Sequence, residues 1–230
     1  MTAENATRSG RHAGVLVLAQ LVFALMLPFI LLDRVRAGAG MLVNAAPHAA
    51  MLRTAVFLLI AGSAIAIAIS VVVLPVLQDR GASLGYWLLA LATAGFVLQC
   101  VDCAALLSLL SLSQEYTAAG TAQAGGFEGL ALVVSTARRW SHYSYLLVAV
   151  SWIVLLNAAM FRFRLVPRWL AGLAVFCALL QLGGVSVRAM LGYAPAMWLA
   201  VPLAPAYLTV AIWLMVRGFG QPQGSPATAD

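Results

Sequence analysis

The chain has 230 residues, 63% of them hydrophobic and 9% charged, and its mean hydropathy is +0.99. Soluble domains average about 45–50% apolar and about 25% charged residues, so this composition excludes a soluble globular domain, a disordered chain and a secreted disulfide scaffold. The net charge of +6 comes from arginines with no lysine. They are scattered through short connections without a basic run, which points to orientation in a membrane and not to nucleic acid. Cys100, Cys103 and Cys177 all lie in apolar runs, and such an odd set is not an oxidised framework.

A bilayer core takes about 20 mostly apolar residues per helix, and six stretches qualify. The first, 13–32, follows Arg8 and Arg11 but is longer than the roughly 7–15 residues of a signal-peptide core, so it is expected to be a retained helix. The others are expected at 53–77, 84–112, 141–161, 169–187 and 195–216. Segments such as AVFLLIAGSAIAIAISVVVL are apolar all round, whereas membrane strands alternate. A backbone in lipid must satisfy its own hydrogen bonds, so these runs are helices. The fold class is therefore an all-α bundle of six transmembrane helices with short loops, in one domain over 1–219, with a disordered tail at 220–230. Gly62, Ala66 and Ser70 recur every four residues and invite a close neighbour. Pro28, Pro75, Pro202 and Pro205 are candidate kinks, and the paired prolines make helix six the candidate broken helix.

Two connections stand out. The segment 33–52 joins helices one and two. The longest, 113–140, carries AAGTAQAGGFEG and then a stretch with Phe127, Leu130, Ala131 and Val134 on one helical face, expected to be a short interfacial helix on the bundle's outer end or a lid. Tyr86, Trp87, Trp140, Tyr143, Trp169, Tyr193 and Trp198 mark interfaces. With both termini inside, Arg8, Arg11, Arg80, Arg162, Arg164, Arg168 and Arg217 face the cytoplasm. Arg34, Arg36, Arg53, Arg138, Arg139 and Arg188 then lie outside. The bias is weak, and FRFRLVPR is its strongest local element.

FRFRLVPRWLAGL, LVNAAPHAAMLR, LPVLQDRGASLGYW and WLMVRGF resemble segments of a bacterial six-helix integral membrane family known as domain of unknown function 4386. The resemblance runs from helix one to Phe219. It implies a six-helix fold in the bacterial cytoplasmic (inner) membrane, and no activity. The family tends to place an arginine and, three residues on, a glutamate early in helix three. Here Ala90 and Thr93 stand there, so any role of that pair is absent or carried by other residues.

Asp102 is the most informative residue, because an acid at mid-bilayer costs about 2.5–3.5 kcal/mol and so faces water or a partner. Helix rise from Tyr86 and from Trp169 puts Asp102 and Arg188 near the same outer end, and an ion pair between them is expected. Gln99 shares the face of Asp102; Gln181, Asn157, His142 and Arg53 complete a candidate ligand-binding set. The alternative is a helix staple without a ligand. Cys100 and Cys103 form C-x-x-C within a helix, a thiol-redox pair as a lesser reading, since no second pair exists to pass electrons on. His48 and His142 are weak metal candidates; no metal, cofactor or catalytic residue is expected. Gly184-Val185-Ser186 lacks the glycine and histidine of a serine protease. Three functions follow. The first is a non-enzymatic protein that binds or transports a small molecule or ion. The second is a structural or regulatory membrane protein with a protein partner, or one that oligomerises. The third is a membrane thiol redox enzyme.

Overall fold

The computed structural model describes residues 3–26, 32, 35, 40–119 and 124–220. Among them no strand occurs, and six helices are long and apolar enough to cross a membrane. These are α1 (Glu4–Met26), α2 (Ala49–Gln78), α3 (Arg80–Ala119), α4 (Gly125–Arg162), α5 (Arg168–Met190) and α6 (Met197–Arg217). The expected end of helix one at 27–31, including Pro28, lies outside the described residues. So do 33–34 and 36–39 of the first connection, 120–123 of the Gly-rich one, and the tail from 221.

Consecutive helices run antiparallel. α2 and α3 reverse at Gly81, where the backbone leaves the helical region (φ 174, ψ 71). Their register is fixed by Ser70 Oγ donating to the Leu88 carbonyl and by Cys103 Sγ approaching the Val56 carbonyl. α3 and α4 form a second hairpin, with Gly95 against Val148 and the Tyr116 ring edge-on to Phe127 at 5.9 Å. α1 closes the bundle against α6. Gly10 and Gly14 meet the backbone of Met215, Gly218 and Phe219 so closely that a Cβ at either would clash. This is a small-xxx-small contact, and lipid gives helices little hydrophobic reason to associate, so such close packing carries the association. The Gly62–Ala66–Ser70 stripe makes a different contact: Gly62 meets the Phe23 ring at ordinary distance, and Ser70 Oγ accepts the Trp152 indole N–H at 2.9 Å.

One end of the bundle, the near face, holds the described starts and ends of the chain. There Gly220 N–H donates to the Leu165 carbonyl, and Arg80 reaches the Phe163 carbonyl at 3.5 Å. The main core of Ile69, Leu77, Leu88, Leu156, Leu170 and Val210 fills this half. At the far face a second cluster gathers Leu52, Ala55 and Val56 with Cys103, Leu106 and Leu110. The short helix Met41–Asn44 lies against it.

Three expectations change. Helix three was expected at 84–112 and helix four at 141–161, but they run 40 and 38 residues, about 60 and 57 Å of rise. A hydrocarbon core is about 30 Å thick, so the hairpin projects beyond it at the far face. The polar stretch after Leu112 stays helical because intrahelical bonds satisfy its backbone in water as well as in lipid. The segment from Phe127 to Val134 is helical, but it continues into α4 instead of lying separately along the membrane. The paired prolines do not break helix six. A 3-10 turn, Met197–Ala200, leads to Pro202 as the N-cap of Leu203–Arg217, and Pro205 falls in the first turn, where the missing N–H costs nothing.

Candidate functional site

Asp102 is 1% exposed and faces α4, not α5. Its Oδ1 lies 3.5 Å from Arg138 Nε and its Oδ2 lies 3.6 Å from His142 Nδ1. Gln99, one turn earlier on α3, donates from Nε2 to Oδ2 at 3.3 Å. Arg138 and His142 stand four residues apart, so one face of α4 presents both side chains to one carboxylate. Arg138 also reaches the Met41 sulfur, which ties the first connection over the cluster. These separations exceed a direct hydrogen bond of about 2.7–3.2 Å. Asp102 Oδ1, Gln99 Oε1 and His142 Nδ1 are buried without a hydrogen-bond partner.

The expected Asp102–Arg188 pair is not formed. Arg188 is exposed; its Nε donates to the Ala194 carbonyl at 3.0 Å and its guanidinium sits over the Tyr193 ring. Its helix belongs to the other side of the bundle, which contacts α4 and α6. Arg53 is exposed as well, and Asn157 is buried, donating to the Ile153 carbonyl of its own helix. Of the expected set, Asp102, Gln99 and His142 come together, and Gln181 belongs to a different site. His48 binds the Asn44 carbonyl at 3.0 Å, away from the partners of His142. Among the described residues no three metal-ligating side chains converge. Cys100 and Cys103 are free thiols, and Cys103 is sealed between Gln99 and α2.

The second site is a cavity of about 310 Å³ to which all six helices contribute. Gln20 of α1, Ser63 of α2, Gly95 of α3, Tyr145 of α4, Gln181 of α5 and Tyr207 of α6 stand in its wall, and the rest of the lining is apolar. Among the described residues no acid, arginine or histidine lines it. Gln20 Oε1 and the Tyr207 hydroxyl are buried and unpartnered. α5 is locally widened into a π-helix at Leu182–Val187, directly after Gln181. There the Gly184 carbonyl takes the Ala196 N–H at 2.8 Å, and the missing Cβ lets Leu199 of the 3-10 turn pack in. A π turn inserted in an α-helix frequently marks a functional position.

The two sites adjoin on α4. The His142 and Tyr145 rings lie 6.3 Å apart, so one residue of the charged cluster touches one residue of the cavity wall. Gln20, Ser63, Tyr145, Tyr207 and Arg138 were not among the expected site residues. Gln20 had a signal, being an amide inside the apolar run LVLAQLVFALM. Arg138 had one too: a hairpin closing near residue 121 sets position 102 opposite roughly position 141 in antiparallel register.

The model of the family described as Domain of unknown function (DUF4386) matches residues 12–218, and the chain belongs to that family. No curated protein and no solved structure matches it.

Proposed function

We propose that this multi-pass membrane protein binds a small, uncharged, largely apolar molecule in the six-helix cavity, and moves it between the membrane and the far face. The observation that carries this is the wall itself: its described residues are uncharged and mostly apolar, with Gln20 Oε1 and the Tyr207 hydroxyl buried and lacking partners. Buried polar groups are normally satisfied. A guest offering one donor to Gln20 and one donor or acceptor to Tyr207 would complete both, while an ion would find no counter-charge. Ligand pockets of about 300–1,000 Å³ with a few convergent polar groups are of this kind. Spans that are helices and not a barrel support the cytoplasmic membrane as the location.

Native mass spectrometry of protein extracted from its own membrane tests the reading. Gly95 stands in the cavity wall, and a Cβ there has its nearest neighbour, Val148, at 3.8 Å, so the backbone has room for a side chain and Gly95→Leu is the variant chosen to take up cavity space. An uncharged small molecule is expected on the wild type and absent from Gly95→Leu. Equal occupancy of both proteins, or none on either, would favour the alternative of a structural or regulatory membrane protein whose polar residues only join helices.

A further inference from the structure

The charged cluster above the cavity is left over by this reading, since nothing in the cavity needs a charge. We propose that Asp102 and His142 form a proton-binding site, and that the proton is a second ligand that controls access to the cavity. The proposal rests on the cavity reading above and adds its regulation.

The geometry supports a proton and not a larger ion. Asp102 is 1% exposed, and Arg138, 12% exposed, already faces its Oδ1. A metal cation would therefore meet a guanidinium. His142 is 33% exposed, so one part of its ring reaches the far-face surroundings while Nδ1 points at Asp102 Oδ2. The other charged or titratable groups around it are few among the described residues. α3 supplies Cys100 and Cys103 beside Gln99. α4 supplies Arg139 and Tyr143, with Tyr145 below. α2 offers only the Val56 carbonyl, with Arg53 exposed one turn away, and the first connection offers the Met41 sulfur.

A neutral imidazole carries one N–H, on either nitrogen; the imidazolium carries two. Protonation from the far-face water therefore guarantees an N–H toward Oδ2 and places a second cation against the carboxylate. That ties α3 to α4 through both oxygens. Loss of the proton returns it to the same water and leaves the 3.6 Å contact without a charge to close it. His142 and Tyr145 are in ring contact, and Tyr145 stands in the cavity wall. A tightened α3–α4 pair closes the wall, and a relaxed one opens it.

The test uses the full chain in lipid nanodiscs with Cys100, Cys103 and Cys177 replaced and Ser63→Cys as a reporter in the cavity wall. The rate of modification by N-ethylmaleimide, a small neutral reagent, is divided by its rate on the unfolded chain at the same pH. The corrected rate is expected to be about fivefold or more higher at about pH 8 than at about pH 5, the low end of ordinary coupling between two sites. In His142→Gln the ratio is expected to fall to about one. A reporter that reacts but shows no pH dependence overturns the proton site and leaves the cavity standing. A reporter inert at every pH overturns the cavity reading and this proposal with it. Because the reporter chain retains His142, its own pH ratio decides the matter even where His142→Gln fails to fold.

Discussion

Asp102 sits about 33 Å of helix rise beyond Arg80, at the depth where the hydrocarbon gives way to the far face. Removing one partner of a buried ion pair costs about 3–5 kcal/mol in soluble proteins, whereas polar contacts between membrane helices average only about 0.6 kcal/mol. The cluster lies between these limits: the carboxylate is sealed, but its contacts are 3.5 and 3.6 Å long. Asp102→Asn and Arg138→Gln are therefore expected to lower stability by about 2 kcal/mol each. The double variant should be less damaging than the sum by about 1 kcal/mol. Reversible unfolding in mixed micelles measures all three. Asp102→Asn with Arg188→Gln should instead be additive within about 0.5 kcal/mol, since Arg188 binds Ala194 elsewhere. Coupling to Arg188 with none to Arg138 would contradict the placement of α3 against α4. That Asp102 mattered was legible from a lone acid in an apolar run. Its partner was not, because helix rise alone fixes depth but says nothing about which helix stands next to which.

At the scale of the elements, α5 is where local sequence and neighbour packing meet. Gly183 and Gly184 are adjacent in the π segment, yet a Cβ at Gly183 would meet open space while one at Gly184 would strike the Leu199 side chain. Gly183→Ala should stay within about 0.5 kcal/mol of the wild type. Gly184→Ala should cost about 1–3 kcal/mol, since Leu199 and the 3-10 turn that carries it must shift. Thermal unfolding of the two single variants separates them, and equal losses would mean that the close approach at Gly184 is not formed. Neither the π turn nor this approach was readable in GGVSV, which carries no mark of its hydrogen-bond register. The six spans were readable because lipid leaves an apolar run no alternative to the helix. Their ends at the far face were not, because the chain there stops being continuously apolar before it stops being helical: residues 113–119 continue α3 in polar sequence, and residues 125–140 continue α4 with glycines, Glu128, Arg138 and Arg139 among the apolar residues. The prolines of α6 misled for a related reason, since Pro202 reads the same whether it breaks a helix or starts one.

For the whole molecule, the antiparallel contact of α1 with α6 puts the chain's described start and end at one face, together with the α2–α3 and α4–α5 turns. Arg8, Arg11, Arg80, Arg162, Arg164, Arg168 and Arg217 all belong to that face. Sequence counting alone gave a near tie with the other side. The fold changes how the two sets are weighed, because charges orient a membrane protein when they lie in short loops near the ends of the spans. Arg80, Arg162, Arg164 and Arg168 are in such turns. Arg138 and Arg139 instead stand more than three turns into a 38-residue helix whose first part projects past the membrane. The near face is therefore expected to be cytoplasmic. Two exposed positions at opposite ends make this measurable: Arg164 in the α4–α5 turn and Glu115 near the tip of the projecting hairpin. With the native cysteines replaced, a membrane-impermeant maleimide applied to intact cells should modify Glu115→Cys and leave Arg164→Cys unlabelled until the cells are opened. The reverse pattern would turn the protein over in the membrane, and the cavity would then exchange its guest with the cytoplasmic side.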